Sequence, residues 1–529
     1  MTSTDRFEGR RVLGIDLGTT NSAVAVWDEA AGRVVPLADP DGVVLMPSLV
    51  GWDAGRRRWV VGAEAAELAD RNPSAVAYSV KRHMGRRFDE PSVMQDSRTV
   101  AYRMLPGDAD DPLRAIAIDF GEARLTPPDI AAKVLSKLRY TAATALGVPL
   151  EGLRKAVITV PAYFNLLQRR ATLLAAEFAG LEAEILNEPT AAALTCADLL
   201  DENPRLFLIY DLGGGTFDLS LLEAKRDEAG YLFETLTVHG DTRLGGDDID
   251  RAVTDWLLRQ SREAAPTPAF REAVRHAAER AKIELSSGET TMALGRRMTR
   301  AQLVECSGAV LADTRRLADE AVREISGLEW SNIDDVILVG GQTRMPAVQA
   351  QVSELLGATP RLAPEPELAV ALGAAEYAHM LSRGRRRFHE RALVNVLALP
   401  LGIKLDDDRF HVLVEANVTI PHRSKVFPVT TREDNQETVR VEVLQGTRTA
   451  TRVSECILLG PILMDVEAGR AGTARLNVVF DVHSDGTMTA IVSDPVHERV
   501  GRLDVVDSRR LNTFRGQHDK PMGEPHADR

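Results

Sequence analysis

The sequence predicts an α/β part followed by a smaller all-β part. Up to about residue 381, short β-branched runs such as 12–15 alternate with helical patterns such as 128–146 and 300–325, which is typical of α/β layers. Beyond that point apolar and polar residues alternate, as in 439–443. The boundaries that we predict are 1–383 for the α/β part, 384–396 for a basic linker, 397–508 for a β sandwich and 509–529 for a disordered tail.

Composition excludes several classes of protein. The chain has 529 residues, of which 27% are charged, and a formal net charge of -13. This is a globular composition, and its acidic balance disfavours nucleic acid as a partner. The three cysteines lie far apart, which excludes a disulfide scaffold and a cysteine-based zinc ribbon. Because we find neither a long apolar run nor an apolar signal core, we expect a cytoplasmic protein that makes no membrane contact.

Two segments of the α/β part share one plan. Each has a buried strand, an aspartate, a turn rich in Gly and Thr, and a second apolar strand. The first copy covers 12–21 and continues into the strand 23–27, and the second covers 207–216 and continues into 217–222. We interpret this repetition as a duplicated lobe.

The two Gly/Thr turns, 18–20 and 213–216, are candidate phosphate-binding turns. The chain has no Gly-Lys pair, so the P-loop pattern is absent, and neither turn fits G-x-G-x-x-G. Backbone N–H groups of a tight turn can point at phosphate oxygens, which glycine allows to approach closely. Asp16 and Asp211, each at a strand end, are suited to hold Mg²⁺ through water. One copy alone fits an ordinary β-turn equally well, whereas the paired design favours phosphate binding.

Two further features are weaker when taken alone. The glycine turn at 339–346 carries Arg344, whose guanidinium plane can stack on a base, although a solvated turn arginine is the commoner case. Lys81 is suited to neutralise charge on a γ-phosphate, although a surface lysine in a basic run is the simpler alternative.

Five strings resemble the DnaK-type, 70-kDa heat-shock chaperone family and occur in the family's order. They are GIDLGTTNS at 14–22, AVITVPAYFN at 156–165, NEPTAAAL at 187–194, DLGGGTFDL at 211–219 and VILVGGQTRMP at 336–346. The resemblance runs from about residue 11 to about residue 505. Sugar kinases and actin share the duplicated turn, but they lack NEPTAAAL and the β part.

The resemblance implies an actin-like, two-lobed ATPase domain with ATP or ADP at the bottom of the cleft. It implies that Lys81 stabilises the γ-phosphate, that Glu188 and Asp211 orient the attacking water, and that Thr216 lies close to it. Asp16 and Asp211 would hold Mg²⁺ through water, and K⁺ is a further candidate ion. The implied nucleotide-binding residues are Asp16, Gly18, Thr19, Thr20, Asn21, Gly213, Gly214, Gly215, Thr216, Glu279, Lys282, Ser286, Gly340, Gly341, Arg344 and Glu367.

The resemblance also implies a peptide-binding sandwich that is coupled to the nucleotide. Pro161 and Arg169 would relay the nucleotide state to the β part. An apolar pocket would take one side chain of an unfolded or extended peptide. Its implied residues are Ile403, Phe427, Val439 and Val441. The alternative for these four residues is an ordinary role in the sandwich core.

The sequence departs from the family pattern in several places. The chain ends soon after the last predicted strand, where the family has a helical lid, and the loop 406–408 is Asp-Asp-Asp. The segment 392–396 lacks the family's leucine-rich linker pattern. The shortened region 287–299 and the acidic segment 182–184 lead us to expect altered docking of a nucleotide exchange factor and a J-domain protein.

The predicted function is that of an ATP-dependent chaperone. It would hydrolyse ATP slowly and couple nucleotide state to transient binding of unfolded peptide segments. The alternative is a nucleotide-gated interaction module that binds one dedicated partner and has no general refolding activity. A sugar kinase on the same lobes would need a phosphoacceptor site, which no motif indicates.

Overall fold

The computed structural model describes residues 7, 10–196, 205–227, 230–261, 267–383, 391–405 and 407–505. The predicted disordered tail, the first part of the predicted linker (384–390) and Asp406 of the acidic loop lie outside these described residues.

The first lobe is built on a mixed sheet that contains the first Gly/Thr turn. The main strands lie in the order Glu182–Asn187, Lys155–Val160, Val12–Asp16, Asn21–Asp28 and Arg33–Pro36, and the short strand Met46–Pro47 pairs with the start of Asn21–Asp28. The first three strands are parallel and the next two are antiparallel. Most residues of the central strands are buried, as expected for a sheet that is covered on both faces.

The second lobe repeats this sheet strand for strand. Its order is Arg361–Leu362, Asp335–Val339, Arg205–Leu212, Phe217–Asp227 and Gly230–Asp241, with the same sequence of parallel and antiparallel pairs. The predicted duplication is therefore confirmed. Each Gly/Thr turn follows the third strand of its sheet, so the two turns occupy equivalent places in the two lobes.

Helices and small sheets complete the α/β part. The helices are Ala63–Arg71, Pro91–Asp96, Pro127–Leu146, Leu166–Phe178, Glu188–Thr195, Gly246–Gln260, Pro268–Ser287, Arg300–Cys306, Gly308–Glu324, Pro346–Leu356 and Ala369–Ser382. The small sheets are formed by Val50–Asp53, Arg58–Val61 and Val76–Ala77, by Arg103–Pro106, Ile116–Asp119 and Arg124–Leu125, and by the hairpin Thr290–Ala293 with Arg296–Thr299. None of the helices in the described part of the chain combines the length and apolar character needed to span a membrane.

Local signals explain where these helices begin and end. The helix Pro127–Leu146 starts after Thr126, whose hydroxyl accepts from the backbone N–H of Asp129, and it ends at Gly147 in the left-handed conformation. The helix predicted over 300–325 is instead two helices separated at Ser307. There the serine hydroxyl donates to the carbonyl of Leu303 at 2.7 Å. A serine followed by a glycine favours such a break.

The second half of the predicted linker forms a strand, Arg391–Val396, which we call the linker strand. It lies parallel to Gly230–Asp241 at the edge of the second lobe's sheet, and Thr419–Ile420 of the β part follows it there. The sheet thus grows to seven strands. The sequence did not predict this pairing because the edge that receives the linker strand is about 160 residues away along the chain.

The β part consists of two facing sheets. One has the order Phe410–Val414, Leu401–Lys404, Thr438–Gly446 and Cys456–Asp465, and the other His422–Arg423, Leu476–Val482, Met488–Asp494 and Arg499–Asp504, with Phe427–Val429 beside Leu476–Val482. Side chains from both sheets, including Val443, Ile462 and Phe480, form one buried cluster. This is the predicted sandwich. The same cluster continues into the first lobe, against which the sandwich lies.

Candidate active site

A cavity of about 340 Å³ lies between the two lobes where the two Gly/Thr turns meet; we call it the cleft cavity. It brings together nearly all the residues that the sequence singled out for nucleotide chemistry. The predicted residues in its wall are Asp16, Gly18, Thr19, Thr20, Asn21, Lys81, Glu188, Asp211, Gly213, Gly214, Thr216, Glu279, Lys282, Ser286, Gly340, Gly341, Arg344 and Glu367. Gly215 lies behind this wall, against the side chain of Thr19.

The two Gly/Thr turns approach each other so closely that side chains at their glycines would collide. A Cβ atom at Gly214 would lie 1.9 Å from Oγ1 of Thr20, and one at Gly215 would lie 2.4 Å from Cγ2 of Thr19. The backbone N–H of Gly213 donates within its own turn to the carbonyl of Thr216 at 3.1 Å. Hydroxyl and backbone donors from both lobes therefore line one end of the cleft cavity, an arrangement suited to an anion.

Four carboxylates surround a single lysine at this end; we call them the carboxylate cluster. Nζ of Lys81 lies 2.6 Å from Oε1 of Glu188, and both side chains are almost fully buried. Burial, followed by the charge of Glu188, raises the pKa of Asp16 to about 7 and that of Asp218 to about 8. The same two causes hold the pKa of Asp211 well above its ordinary value. Burial and mutual repulsion therefore disfavour the charged form of these carboxyl groups, and added cations would favour it.

Lys81 keeps its charge despite burial. Burial by itself would lower its pKa, but the charges of Glu188 and Asp16 outweigh this effect, and the net result is a raised pKa. Its ammonium group also lies 5.7 Å from the centre of the Phe164 ring. The lysine stands on the short 3₁₀ turn Val80–His83, which follows Ser79 in the left-handed conformation. The cleft cavity thus contains one fixed cation close to where phosphate would lie.

Asp218 is a member of the carboxylate cluster that the sequence analysis did not name. It lies on the strand after the second Gly/Thr turn and is 1% exposed. One of its carboxylate oxygens accepts from the backbone N–H of Tyr163 at 3.3 Å. The available signal was an aspartate in an otherwise apolar strand, within the string DLGGGTFDL. An acid at such a position is buried whichever face it occupies, and it needs a partner.

The donor chemistry of the carboxylate cluster fits Mg²⁺ that keeps most of its water. Oγ1 of Thr159 donates to Oδ1 of Asp16 at 3.2 Å, which orients one predicted ligand, and Asp211 faces it within the same cavity. Across the described residues, no three His, Cys, Asp or Glu side chains converge as direct ligands of one ion. An ion here would complete its shell with water and phosphate oxygens, which is the usual mode of Mg²⁺.

Paired charges and the apolar side chain of Ile283 also line the cleft cavity. Lys282 forms an ion pair with Asp250 at 2.7 Å, and Nη2 of Arg344 donates to Oε2 of Glu367 at 2.7 Å. Ile283 lies in the wall and is 61% exposed. The sequence analysis named Lys282, Arg344 and Glu367 but missed Ile283. A fixed guanidinium plane and an apolar side chain are suited to a planar base.

Asp247 connects the two lobes above the cleft cavity. Its carboxylate accepts from Oγ of Ser79 at 2.7 Å, and Oγ1 of Thr20 lies 3.5 Å from its other oxygen. Next to it, Arg82 of the first lobe forms an ion pair with Asp248 of the second at 2.6 Å. These contacts hold the lobes together over the site, and none of them could be identified from sequence spacing.

Arg169 contacts both the first lobe and the β part. It is 6% exposed and donates to Oδ1 of Asn187 at 2.7 Å and to the carbonyl of Asp485 in the β part at 3.4 Å. Its other donors reach the carbonyls of Phe164 and Ala162, close behind Pro161 at the end of the strand Lys155–Val160. Asn187 directly precedes Glu188, so contacts run from the carboxylate cluster to the sandwich.

A second group of contacts joins the other lobe to the β part; we call it the interdomain cluster. It consists of Thr237, His239, Glu324, Asn417 and Arg448. Arg448 of the β part forms an ion pair with Glu324, and it donates to Asn417 at 2.9 Å and also to the carbonyl of Val238. Asn417 in turn donates to Thr237 at 3.0 Å. Burial would raise the pKa of Glu324, but hydrogen bonds from His239, Thr237 and Arg448 hold it far below its ordinary value.

The predicted peptide-pocket residues lie in the sandwich core. Ile403, Val439 and Val441 are 2%, 6% and 5% exposed and belong to its buried cluster. Phe427 packs on that cluster, and its ring centre lies 4.4 Å from that of His411. In this arrangement the four residues have the contacts expected of core residues, so their role in peptide binding stays a prediction.

Comparison with known proteins agrees with the geometry. The family model described as Hsp70 protein matches residues 12–513. The chain is similar to the chaperone protein DnaK of Buchnera aphidicola subsp. Schizaphis graminum, with 36% identity over 524 residues, which covers 95% of this chain and 79% of that protein. It is also similar to the chaperone protein DnaK of Stenotrophomonas maltophilia, with 37% identity over 517 residues, which covers 94% and 78%. The matches span both the lobes and the sandwich, and the chain therefore belongs to the Hsp70 family of ATP-dependent chaperones.

Proposed function

We propose that the cleft cavity binds ATP and that the carboxylate cluster with Lys81 promotes its hydrolysis. The observation that carries this proposal is the buried ion pair between Lys81 and Glu188, placed where the two Gly/Thr turns meet. The turns bind the phosphates through backbone N–H groups and the hydroxyls of Thr19, Thr20 and Thr216. Mg²⁺, when bound, neutralises charge on the phosphate oxygens.

In the proposed reaction, water attacks the γ-phosphorus and the bond to the bridging oxygen breaks. Glu188 and Asp211 orient the water by accepting its hydrogen bonds, and the proton that it releases passes to a carboxylate of the cluster. Lys81 donates to a γ-phosphate oxygen, where negative charge must be stabilised. Because the lysine is already fixed by Glu188, little reorganisation is needed when charge develops.

The proposed coupling to the β part uses the contacts of Arg169 and the linker strand. A change around Glu188 on loss of the γ-phosphate would alter Asn187, then Arg169, and then the carbonyl of Asp485. Whether the linker strand stays paired with Gly230–Asp241 would then depend on whether the γ-phosphate is present. A nucleotide-controlled chaperone requires two arrangements whose populations depend on the bound nucleotide, and the paired and the released linker strand would be these two.

The finer assignments follow from the relatives and remain proposals. Clients would be unfolded or extended peptide segments, and the partners would be a J-domain protein and a nucleotide exchange factor. K⁺ is a second candidate ion, because four carboxylates exceed the charge of one lysine. The alternative of one dedicated partner gains no support from the similarity to DnaK proteins. A peptide array separates the two ideas: broad apolar selectivity supports a general chaperone, and a single narrow ligand supports the alternative.

Steady-state ATP hydrolysis tests the proposed site. We expect Lys81→Ala to lower kcat by about 100-fold or more, because it removes a preorganised cation from the transition state, and Thr216→Ala to lower it too. Lys137→Ala, on a helix surface outside the cleft cavity, is the matched control and should leave kcat unchanged. Unfolded protein should accelerate the wild type. Retention of wild-type activity by both cavity variants would show that the catalytic assignment is wrong.

A further inference from the structure

A second cavity, of about 390 Å³, lies between the lobes and has no part in the proposed hydrolysis. Its walls come from both lobes, with Tyr78 and Arg98 on one side and Thr254 and Leu258 on the other. Asp250 belongs to the wall of this cavity and also to that of the cleft cavity. A molecule bound in the second cavity would therefore touch both lobes next to the nucleotide.

Among the described residues, five arginines and five carboxylates line the second cavity, so its wall carries no net charge. In the described part of the chain, Arg98 and Arg271 of its wall have no carboxylate partner, whereas Arg275 is paired with Glu272 at 2.7 Å. Arg82 is likewise paired, with Asp248. Within the same described residues, Asp255 is the wall carboxylate that has no cation partner. Two unpaired guanidinium groups therefore remain in this wall beside one unpaired carboxylate, and guanidinium groups suit phosphate.

Several buried side chains of this wall carry polar atoms without a hydrogen-bond partner. In the described structure these atoms are Nε of Arg82, Nδ1 of His83, Oδ1 of Asp250 and Oγ1 of Thr254. His83 is 2% exposed and Asp250 is 5% exposed. Burial lowers the pKa of His83 to about 4, so its neutral ring offers one donor and one acceptor. Buried polar groups are nearly always satisfied in proteins, and the hydroxyl groups of a ligand can satisfy these.

Apolar and aromatic side chains also line the second cavity. Tyr78, Val100, Ala101 and Leu258 contribute to the wall, and the Tyr78 ring is held by the guanidinium of Arg275 at 4.4 Å. A ligand that matches the whole cavity therefore has an anionic group, a ring-sized body and hydroxyl groups. Inorganic phosphate alone would leave most of the cavity unfilled.

We propose that the second cavity binds a small organic phosphate that carries hydroxyl groups, of the size of a sugar phosphate. Arg98 and Arg271 bind the phosphate, and the hydroxyl groups pair with Thr254 and Asp250. Because the ligand contacts both lobes, it opposes their separation and slows the release of nucleotide from the adjoining cleft cavity. By reciprocity, bound nucleotide strengthens the binding of this ligand.

Titration calorimetry with ribose 5-phosphate tests the site directly in the full chain saturated with Mg²⁺ and ADP. We expect one saturable site for ribose 5-phosphate and binding that is at least about tenfold weaker for ribose, which lacks the charge. Arg98→Glu and Arg271→Glu should each weaken binding by at least about tenfold. Arg280→Glu, on the same helix as Arg271 but outside the cavity, is the matched control. The release of fluorescent ADP should slow only when ribose 5-phosphate is present.

Three outcomes would overturn the proposal. They are the absence of saturable binding of ribose 5-phosphate, equal binding by wild type and both glutamate variants, and binding of inorganic phosphate as tight as that of ribose 5-phosphate. ADP affinity, measured on the same samples, shows whether each variant is folded and whether the cleft cavity works. Failure of the second site is thus distinguishable from failure of the proposed ATPase.

Discussion

Lys81, Arg82 and His83 are neighbours in one basic run, and the structure gives each a different charge environment. Lys81 joins the carboxylate cluster, Arg82 pairs with Asp248 across the cleft, and His83 is buried with its Nδ1 unpartnered. The family resemblance predicted a role for Lys81, whereas the sequence analysis assigned no role to Arg82 or His83. What separates the three is which face of the short turn each occupies, and this depends on partners more than 100 residues away.

The buried His83 makes stability depend on pH. Its pKa is lowered from 6.5 to about 4 by burial, so the unfolded chain binds the proton more readily than the folded chain. Stability is therefore lost as the pH falls from about 6.5 to about 4. When the pH falls from 7 to 5, we expect the free energy of unfolding of the wild type to decrease by about 2 kcal/mol more than that of His83→Asn. Urea unfolding followed by tryptophan fluorescence measures this difference, since all five tryptophans precede residue 331.

The comparison of His83→Asn with wild type cancels the other titrating groups, including the aspartates of the carboxylate cluster, whose raised pKa values act in the opposite direction. Stability curves that stay parallel from pH 7 to pH 5 would contradict a buried neutral histidine.

At the scale of elements, close approach of backbone segments explains the glycine-rich turns. Gly340, with φ at +82°, follows the strand Asp335–Val339, and a Cβ there would lie 2.4 Å from the carbonyl of Leu212 in the neighbouring strand. Gly357 also has a positive φ, +71°, but a Cβ there would meet nothing within 4 Å. The sequence alone does not distinguish these two glycines. Only the packing of the strand against its neighbour shows that one of them has no room for a methyl group.

This contrast predicts different costs for the same substitution. We expect Gly357→Ala to lower the free energy of unfolding by about 1 kcal/mol, which is the ordinary penalty for a non-glycine residue in the left-handed conformation. ADP affinity should stay unchanged. Gly340→Ala should cost at least about 2 kcal/mol and weaken ADP binding by about tenfold or more, because backbone must move in the wall of the cleft cavity. Urea unfolding and ADP titration check both. Equal effects of the two substitutions would show that the close approach at Gly340 is unimportant.

At the scale of the whole molecule, the linker strand and the interdomain cluster determine how the parts act together. The linker strand extends the second lobe's sheet, while Arg448 and Glu324 connect that lobe to the sandwich. Arg169 connects the first lobe to the sandwich. The β part therefore contacts both lobes, and any movement between the lobes must alter these contacts.

Loss of the Arg448–Glu324 pair should loosen this arrangement. We expect Arg448→Ala to raise the hydrogen-exchange rates of the backbone amides in the linker strand by about tenfold in the presence of ATP, because the sandwich no longer holds the strand in place. Glu324→Gln should act in the same direction, and the double variant should differ little from Arg448→Ala because both act on one interaction. Arg423→Ala, which breaks an exposed pair with Asp481 within the sandwich, is the control. Unchanged exchange in Arg448→Ala would argue against the cluster as a connection.

The sequence by itself determined the α/β and β parts, the duplicated lobe and most residues of the cleft cavity, although not Leu45, Asp250, Ile283, Gln342, Pro366 or Val370. The two parts, the duplicated lobe and the Gly/Thr turns depend on local patterns, whereas Glu188, Glu279, Lys282, Ser286 and Glu367 were assigned from the resemblance to the family. Tertiary structure alone decided the place of Asp218 in the carboxylate cluster, the strand formed by Arg391–Val396, the burial of Ile403, Val439 and Val441, and the second cavity. Each of these depends on which distant segments pack together, and that packing sets burial, pairing and hence the charge of every side chain concerned.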